Sequence, residues 1–167
     1  DGFLDVLVPN ELGRTASYWI NPGRSLFQSR AQLKRQVVNV SGFRINDVRA
    51  RDFTGDGHLD ILTANWSSST VSLFPGRGDG TFGSERLIPA GKHCVFFAVA
   101  DFDADGDLDL FVANGHVYPR IDQLQLGEET YRQPNQLFKN QGNGIFAEVR
   151  GVAALQDRRV SRGSSCG

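Results

Sequence analysis

Short apolar runs alternate along the chain with turns that are rich in glycine and aspartate. The runs at residues 61–64, 95–100 and 110–113 consist mostly of β-branched, aromatic and small apolar side chains. Runs of this length and composition, bounded by turn residues, predict strands rather than helices. The pattern therefore predicts an all-β fold.

Two of the turns place carboxylates on alternate residues and have glycine at the sixth place. They read DFDADGDLD at residues 101–109 and DFTGDGHLD at residues 52–60, and the end of a third copy, DGFLD, stands at residues 1–5. An apolar run follows each copy. The fifth-place aspartates are 55 and 49 residues apart, a spacing typical of propellers, solenoids and other arrays. We therefore predict a repeat protein.

The aspartate loops predict calcium sites, because several carboxylates this close together repel one another unless a hard divalent cation joins them. An EF-hand does not fit, since its loop needs a glutamate at the twelfth place, where this chain has Thr63 and Val112. We expect the first, third, fifth and ninth side chains and the seventh backbone carbonyl to bind Ca²⁺. The alternative is that these residues only form tight turns, which also favour aspartate and glycine.

The predicted ligands follow from these places in each copy. They are Asp52, Thr54, Asp56, His58 and Asp60 in one loop, Asp101, Asp103, Asp105, Asp107 and Asp109 in the second, and Asp1 and Asp5 in the partial copy. Thr54 stands where a carboxylate would bind more strongly, so we expect the first of these loops to be the weaker site. His58 should contribute its backbone oxygen, with a solvated side chain.

A second repeated element follows each loop. Residues 71–82 and 136–146 each contain apolar residues, a glycine-rich tip and a second aromatic, which predicts a hairpin; residues 18–27 are a degenerate copy. With one more strand before each loop, at residues 45–50 and 95–100, each unit has about four strands, the content of a propeller blade.

The predicted organisation is a partial β-propeller. It consists of an incomplete blade at 1–42, complete blades at 43–92 and 93–154, the second with a loop insertion at 115–134, and the start of another blade at 155–167. Closed propellers have about four to eight blades. We therefore expect the chain to be an interior piece of a longer protein.

The motif at 101–109, followed by the Leu-Phe-x-Asn-x-Gly-Asn-Gly-x-Phe pattern at 137–146, resembles the FG-GAP/VCBS repeats of integrin-α-type β-propellers. Within that superfamily, residues 112–119, 131–133, 135–140 and 160–163 are similar to the group carrying ASPIC/UnbV domains, which includes cartilage acidic protein. The resemblance implies a secreted or surface calcium-binding propeller that serves interaction rather than catalysis.

Charge and composition narrow the function further. The net charge is −1, and ten of the nineteen acidic residues lie in the aspartate loops, so a calcium-loaded protein would expose a mildly basic surface suited to acidic partners such as sulfated glycans. The basic residues are scattered, and nothing resembles a nucleic-acid module. No apolar run is long enough for a membrane span. Calcium loops of this kind suit extracellular, cell-surface or periplasmic surroundings.

The insertion at 115–134 is the least repetitive segment, and long loops on rigid scaffolds often carry function. Its candidate partner-binding residues are His116, Tyr118, Arg120, Tyr131 and Arg132. The alternative is a loop that packs on the blade edge. The sequence thus favours protein or glycan recognition over catalysis, with a scaffold part of a polysaccharide-active enzyme and a purely structural spacer as alternatives.

Several short motifs have simpler explanations. The Arg-Gly-Asp tripeptide at 77–79 coincides with a predicted hairpin tip. The Gly-x-Ser-x-Gly pattern at 163–167 needs a strand-to-helix turn with acid and histidine partners, whereas the repeat alignment predicts a strand there that enters another calcium loop. Asn39 and Asn65 head glycosylation acceptor patterns, which also arise by chance. Cys94 and Cys166 occupy unrelated places, and we expect both to be buried thiols.

Overall fold

A computed structural model describes residues 6–10, 13–20, 34–115, 123 and 133–156. In these residues the fold is all-β, with a single helical turn near the end. The strands are β1 (Val6–Asn10), β2 (Thr15–Ile20), β3 (Lys34–Asn39), β4 (Ile45–Arg51), β5 (Asp60–Asn65), β6 (Thr70–Phe74), β7 (Arg86–Pro89), β8 (Cys94–Ala100), β9 (Asp109–Asn114), β10 (Gln136–Asn140) and β11 (Phe146–Glu148), and the helix is α1 (Ala153–Gln156).

Within the described ranges the strands form three antiparallel sheets, each a simple meander. The first contains β1, β2 and β3, the second contains β4 to β7, and the third contains β8 to β11. The second and third sheets repeat the same unit, in which a long first strand leads through an aspartate loop into a central strand and then a hairpin. They lie within the predicted blades at 43–92 and 93–154.

The three sheets pack face to face, so that the middle sheet is covered on both sides. Every residue of β5 is buried. Ile61 belongs to the core cluster shared with the first sheet, whereas Leu62 and Ala64 belong to the cluster shared with the third. Successive side chains of a strand point to opposite faces. The uninterrupted burial of β5, which includes the polar side chains of Asp60, Thr63 and Asn65, therefore reflects its position between two neighbouring sheets.

The hairpin formed by β6 and β7 differs in one detail from the sequence prediction, which was that an aromatic residue restarts the outgoing strand. Phe146 does begin β11, but Phe82 forms only an isolated bridge with Gly76, and β7 begins later, at Arg86. The Phe82 ring instead packs edge-on against Tyr18 of the first sheet, with ring centroids 5.1 Å apart. Packing between sheets has thus displaced pairing within the sheet.

The second and third sheets contact each other through aromatic side chains at the ends opposite the aspartate loops. Trp66, which follows β5, lies 4.3 Å from the ring of His93 and 4.6 Å from the guanidinium of Arg44. Arg44 and His93 precede the equivalent strands β4 and β8, and both have positive φ angles. Trp66 therefore packs against side chains of two successive units.

A buried acid and a buried thiol lie where β4 meets β8. Asp47 is 6 % exposed; it accepts hydrogen bonds from the Val48 N–H and the Arg49 guanidinium, and a longer one from the Phe97 N–H at 3.4 Å. Burial raises the pKa of Asp47 despite Arg49. Burial, together with the Asp47 charge, raises the pKa of Cys94 to about 12. Cys94 is a free, buried thiol, as expected.

Cys94 should therefore be unreactive in the folded protein. In a Cys166→Ser background, we expect Ellman's reagent to label Cys94 at pH 8 only after denaturant is added, because the thiol is buried and stays protonated. The same variant in denaturant gives the full-labelling control. Rapid labelling of the native protein would contradict the placement of Cys94 in the core.

Asp47 should give the stability a distinct pH dependence. Because its pKa is raised by folding, its contribution to stability is present below the ordinary aspartate pKa and is lost as the pH rises through the folded value. Asp47→Asn removes this loss. We therefore expect the variant to gain stability relative to the unsubstituted chain as the pH rises above the ordinary aspartate pKa, measured by urea unfolding. A constant difference between the two proteins would contradict this.

Candidate metal centre

The Asp101 loop joins β8 to β9 and is folded by its first carboxylate. Asp101 accepts hydrogen bonds from the backbone N–H groups of Asp105 at 3.2 Å and Gly106 at 3.0 Å. Gly106 has a φ of 96° and Ala104 one of 62°. These left-handed residues turn the backbone around the first aspartate, so that the alternate side chains converge.

The Asp52 loop, between β4 and β5, has the same design. Asp52 accepts hydrogen bonds from the N–H groups of Gly55, Asp56 and Gly57, at 2.7, 3.2 and 2.8 Å. Gly55 has the positive φ that Ala104 has in the other loop. The two loops are therefore structural repeats as well as sequence repeats.

The ninth aspartate of each loop is buried and binds backbone. Asp60 is 0 % exposed; one of its oxygens accepts the N–H groups of Phe53 and Thr54, and the other accepts that of Gly76 at 2.7 Å. Asp109 repeats this, accepting the N–H groups of Phe102 and Asn140. Each of these carboxylates joins its loop to the hairpin that follows.

Three carboxylates converge in the Asp101 loop. One oxygen from each of Asp101, Asp103 and Asp109 lies within 4.8 Å of the others. Among the described residues no second group of this kind is present, so the equivalent Asp52 loop lacks it. The reason is Thr54, which stands where the other loop has Asp103.

The donors present suit a hard divalent cation. All are oxygens, the atoms that Ca²⁺ and Mg²⁺ prefer, whereas zinc sites use nitrogen and sulfur. Thr54 adds an observation in the Asp52 loop, because its hydroxyl oxygen is buried without a hydrogen-bond partner. A bound cation would satisfy this hydroxyl. The chemistry of both loops is therefore compatible with the calcium sites predicted from the sequence.

The fifth and seventh places lie at the rim of the loops. Asp105 is exposed and Asp107 is half-buried, and Asp105 accepts the N–H of Asp107 at 3.0 Å. The pKa of Asp105 is lowered, mainly by a hydrogen bond from Lys139. Asp56 accepts the N–H of His58. The His58 ring lies against Gly78, where an added Cβ would be 2.5 Å from it, so this side chain covers the hairpin tip as well as facing solvent.

Two predicted sets of site residues lie outside the described residues. These are Asp1 and Asp5 of the partial loop, and the candidate partner-binding residues His116, Tyr118, Arg120, Tyr131 and Arg132. Cys166 and the pattern at 163–167 lie outside them as well. Along the described ranges, no helix is long and apolar enough to cross a membrane.

Two of the short motifs are explained by the fold. Arg77 and Asp79 belong to a hairpin turn, in which the Asp79 carboxylate accepts the N–H and hydroxyl of Thr81. Asn65 is fully buried and bonded to Ser72 and Thr70, so its acceptor pattern is not accessible in the folded protein, whereas Asn39 is exposed.

Two residues of β10 that contact the aspartate loops were not predicted from the sequence. Asn140 donates from its side chain to the carbonyl oxygens of Phe53, at 2.8 Å, and Leu108, at 3.2 Å, which links the two aspartate loops. The ammonium of Lys139 contacts Asp103 and Asp105. The repeated hairpin motif could have indicated both residues, because they lie at the end of β10 nearest the aspartate loop.

Comparison with known families identifies one repeat in this chain. Residues 52–112, from the Asp52 loop through most of β9, match the family described as FG-GAP-like repeat. No curated protein matches the chain. The FG-GAP part of the resemblance seen in the sequence is therefore confirmed, and the chain contains an FG-GAP-like repeat.

Asp60 should stabilise the fold even without metal. With Asp60→Asn, an amide N–H₂ would face backbone N–H groups that now bind a carboxylate, and we expect the free energy of unfolding in chelator to fall by about 2–3 kcal/mol. Asp56→Asn, in the same loop but exposed, is the matched control and should change it by about 0.5 kcal/mol or less. Equal effects in urea unfolding would refute this role for Asp60.

Proposed function

We propose that this chain is a calcium-binding segment of an integrin-α-type β-propeller, and that the parent protein serves recognition. The observation that carries the proposal is the convergence of Asp101, Asp103 and Asp109 inside a loop of the FG-GAP-like pattern. Three carboxylates at this spacing, with further oxygen donors in the same loop, fit the oxygen-rich coordination of Ca²⁺.

The packing of the sheets supports the propeller. Blades of a propeller are four-stranded meanders that pack face to face around an axis. The second and third sheets are such meanders, and the second is covered on both faces. Asn140 and Tyr18 add hydrogen bonds between successive units, to the carbonyls of Phe53 and Gly80.

Calcium in these loops would stabilise rather than catalyse. It would neutralise carboxylates at the point where the first strand of a unit turns into its central strand, and it would bind the folded chain in preference to the unfolded one. The ninth aspartates already hold each loop to its hairpin through backbone hydrogen bonds. A bound cation would make the rim of the loop equally rigid.

We infer recognition of a protein or glycan from the resemblance to FG-GAP repeats. FG-GAP repeats are typical of extracellular or surface proteins, and the group carrying ASPIC/UnbV domains is the finer match that the sequence motifs support. The segment 115–134 is the proposed contact surface, through His116, Tyr118, Arg120, Tyr131 and Arg132. The competing proposals are a scaffold within a polysaccharide-active enzyme and a structural spacer.

The recognition proposal is tested on the parent protein. Capture of immobilised sulfated glycans and of extracellular-matrix proteins should require calcium and should fall when Arg120 and Tyr131 are replaced by alanine, with Arg150→Ala as the control for a lost surface charge. Calcium-dependent capture that ignores these two residues would place the contact elsewhere. Hydrolysis of the glycan would favour the enzyme, and no capture of any probe would favour the spacer.

Calcium should raise the thermal stability of the chain. At free Ca²⁺ roughly tenfold above Kd, we expect Tm to rise by about 3–6 °C, because only the folded state holds the carboxylates together. Asp101→Asn with Asp103→Asn should reduce this rise, whereas Asp79→Asn, an exposed aspartate outside the loops, should not. An unchanged Tm after exhaustive chelation and calcium addition would overturn the calcium proposal.

A further inference from the structure

Lys139 reaches from β10 onto the rim of the Asp101 loop. Its ammonium contacts the Oδ2 atom of Asp103 and lies 2.9 Å from the Oδ2 atom of Asp105. The three side chains are 43 %, 39 % and 33 % exposed. The contact therefore forms at the accessible side of the loop, from which a cation would enter.

The carboxylates held by Lys139 are the ones that the cation needs. Asp103 belongs to the group of three converging carboxylates, and Asp105 occupies the fifth place of the calcium-loop pattern. A unit positive charge at this distance weakens the attraction of the loop for a second cation. It also occupies carboxylate oxygens that a divalent ion would otherwise bind.

The Asp52 loop has no such lysine. The backbone N–H that binds the ninth aspartate belongs to Asn140 in one unit and to Gly76 in the other, which makes Pro75 the equivalent of Lys139. The same loop has Thr54 in place of Asp103. The Asp101 loop has Asp103 and Asp107 where the other loop has Thr54 and His58. It is also the loop that Lys139 contacts, and the ammonium offsets one of its two additional negative charges.

We propose that Lys139 is an internal competitor of the metal, lowering the calcium affinity of the Asp101 loop and keeping its carboxylates together while calcium is absent. The proposal rests on the calcium binding proposed above. On binding, Ca²⁺ displaces the ammonium from Asp103 and Asp105, and Lys139 moves into solvent. The affinity of the loop is therefore lower than its carboxylates alone would give.

Lys139→Met tests this, because methionine keeps much of the length of the side chain and removes only its charge. By isothermal titration with CaCl₂ at low ionic strength, we expect one site of the variant to bind Ca²⁺ about fivefold more tightly than the same site of the unsubstituted chain. The difference should shrink at about 0.5 M salt, where the charge of the ammonium is screened. The rise in Tm that a fixed calcium concentration produces should also be larger in the variant.

Three further variants complete the experiment. Lys139→Arg keeps the charge and should bind calcium like the parent chain. Arg150→Met removes an exposed positive charge that pairs with Glu148, away from the loops, and should leave the affinity unchanged. Lys139→Gln repeats the neutral substitution with a polar side chain, in case methionine at this exposed place reduces solubility.

The outcomes separate this inference from the proposal on which it rests. Calcium binding that is equally tight, or weaker, in Lys139→Met and Lys139→Gln overturns the role of Lys139 and leaves calcium binding standing. Absence of binding in the parent chain and in every variant overturns both. Binding that appears only when Lys139 is neutralised supports the inference in its strongest form.

Discussion

The fold around the candidate metal centre depends on one interaction, a buried carboxylate that accepts backbone N–H groups from two separate segments. Asp60 and Asp109 each stand at the first position of a central strand. Each accepts N–H groups from the start of its own loop and from the point where the first strand of the following hairpin reaches its turn. A buried acceptor with several donors is costly to disturb. The loops are therefore held in place by protein contacts before any cation binds.

The proposed calcium sites are built on this frame. The first carboxylate of each loop orders the backbone through N–H groups three to five residues away, and the ninth is fixed in the core. The fifth place of each loop is exposed. The differences in charge between the two units are that Thr54, His58 and Pro75 in one correspond to Asp103, Asp107 and Lys139 in the other. The repeats thus share their frame, whereas their charges have diverged.

Local pattern was sufficient to predict most of the fold. The strands flanking each aspartate loop and the glycine-rich hairpins are set by residues close in sequence, and the structure has them where the motifs placed them. The late start of β7 was not predictable, because it depends on Phe82 meeting Tyr18 of another sheet. The contacts of Lys139 and Asn140 were missed for the same reason: they join residues more than thirty places apart.

Because β5 is buried on both faces, the hydrophobic packing does not follow the boundaries of the sequence repeat. Ile61 serves a core shared with the preceding sheet, and Leu62 serves one shared with the following sheet. Neither hydrophobic layer is contained in a single repeat. A gene duplication that lengthens such an array must therefore preserve the interface between neighbouring repeats and not only the repeat itself. Substitutions on facing sheets are expected to evolve in pairs across repeat boundaries.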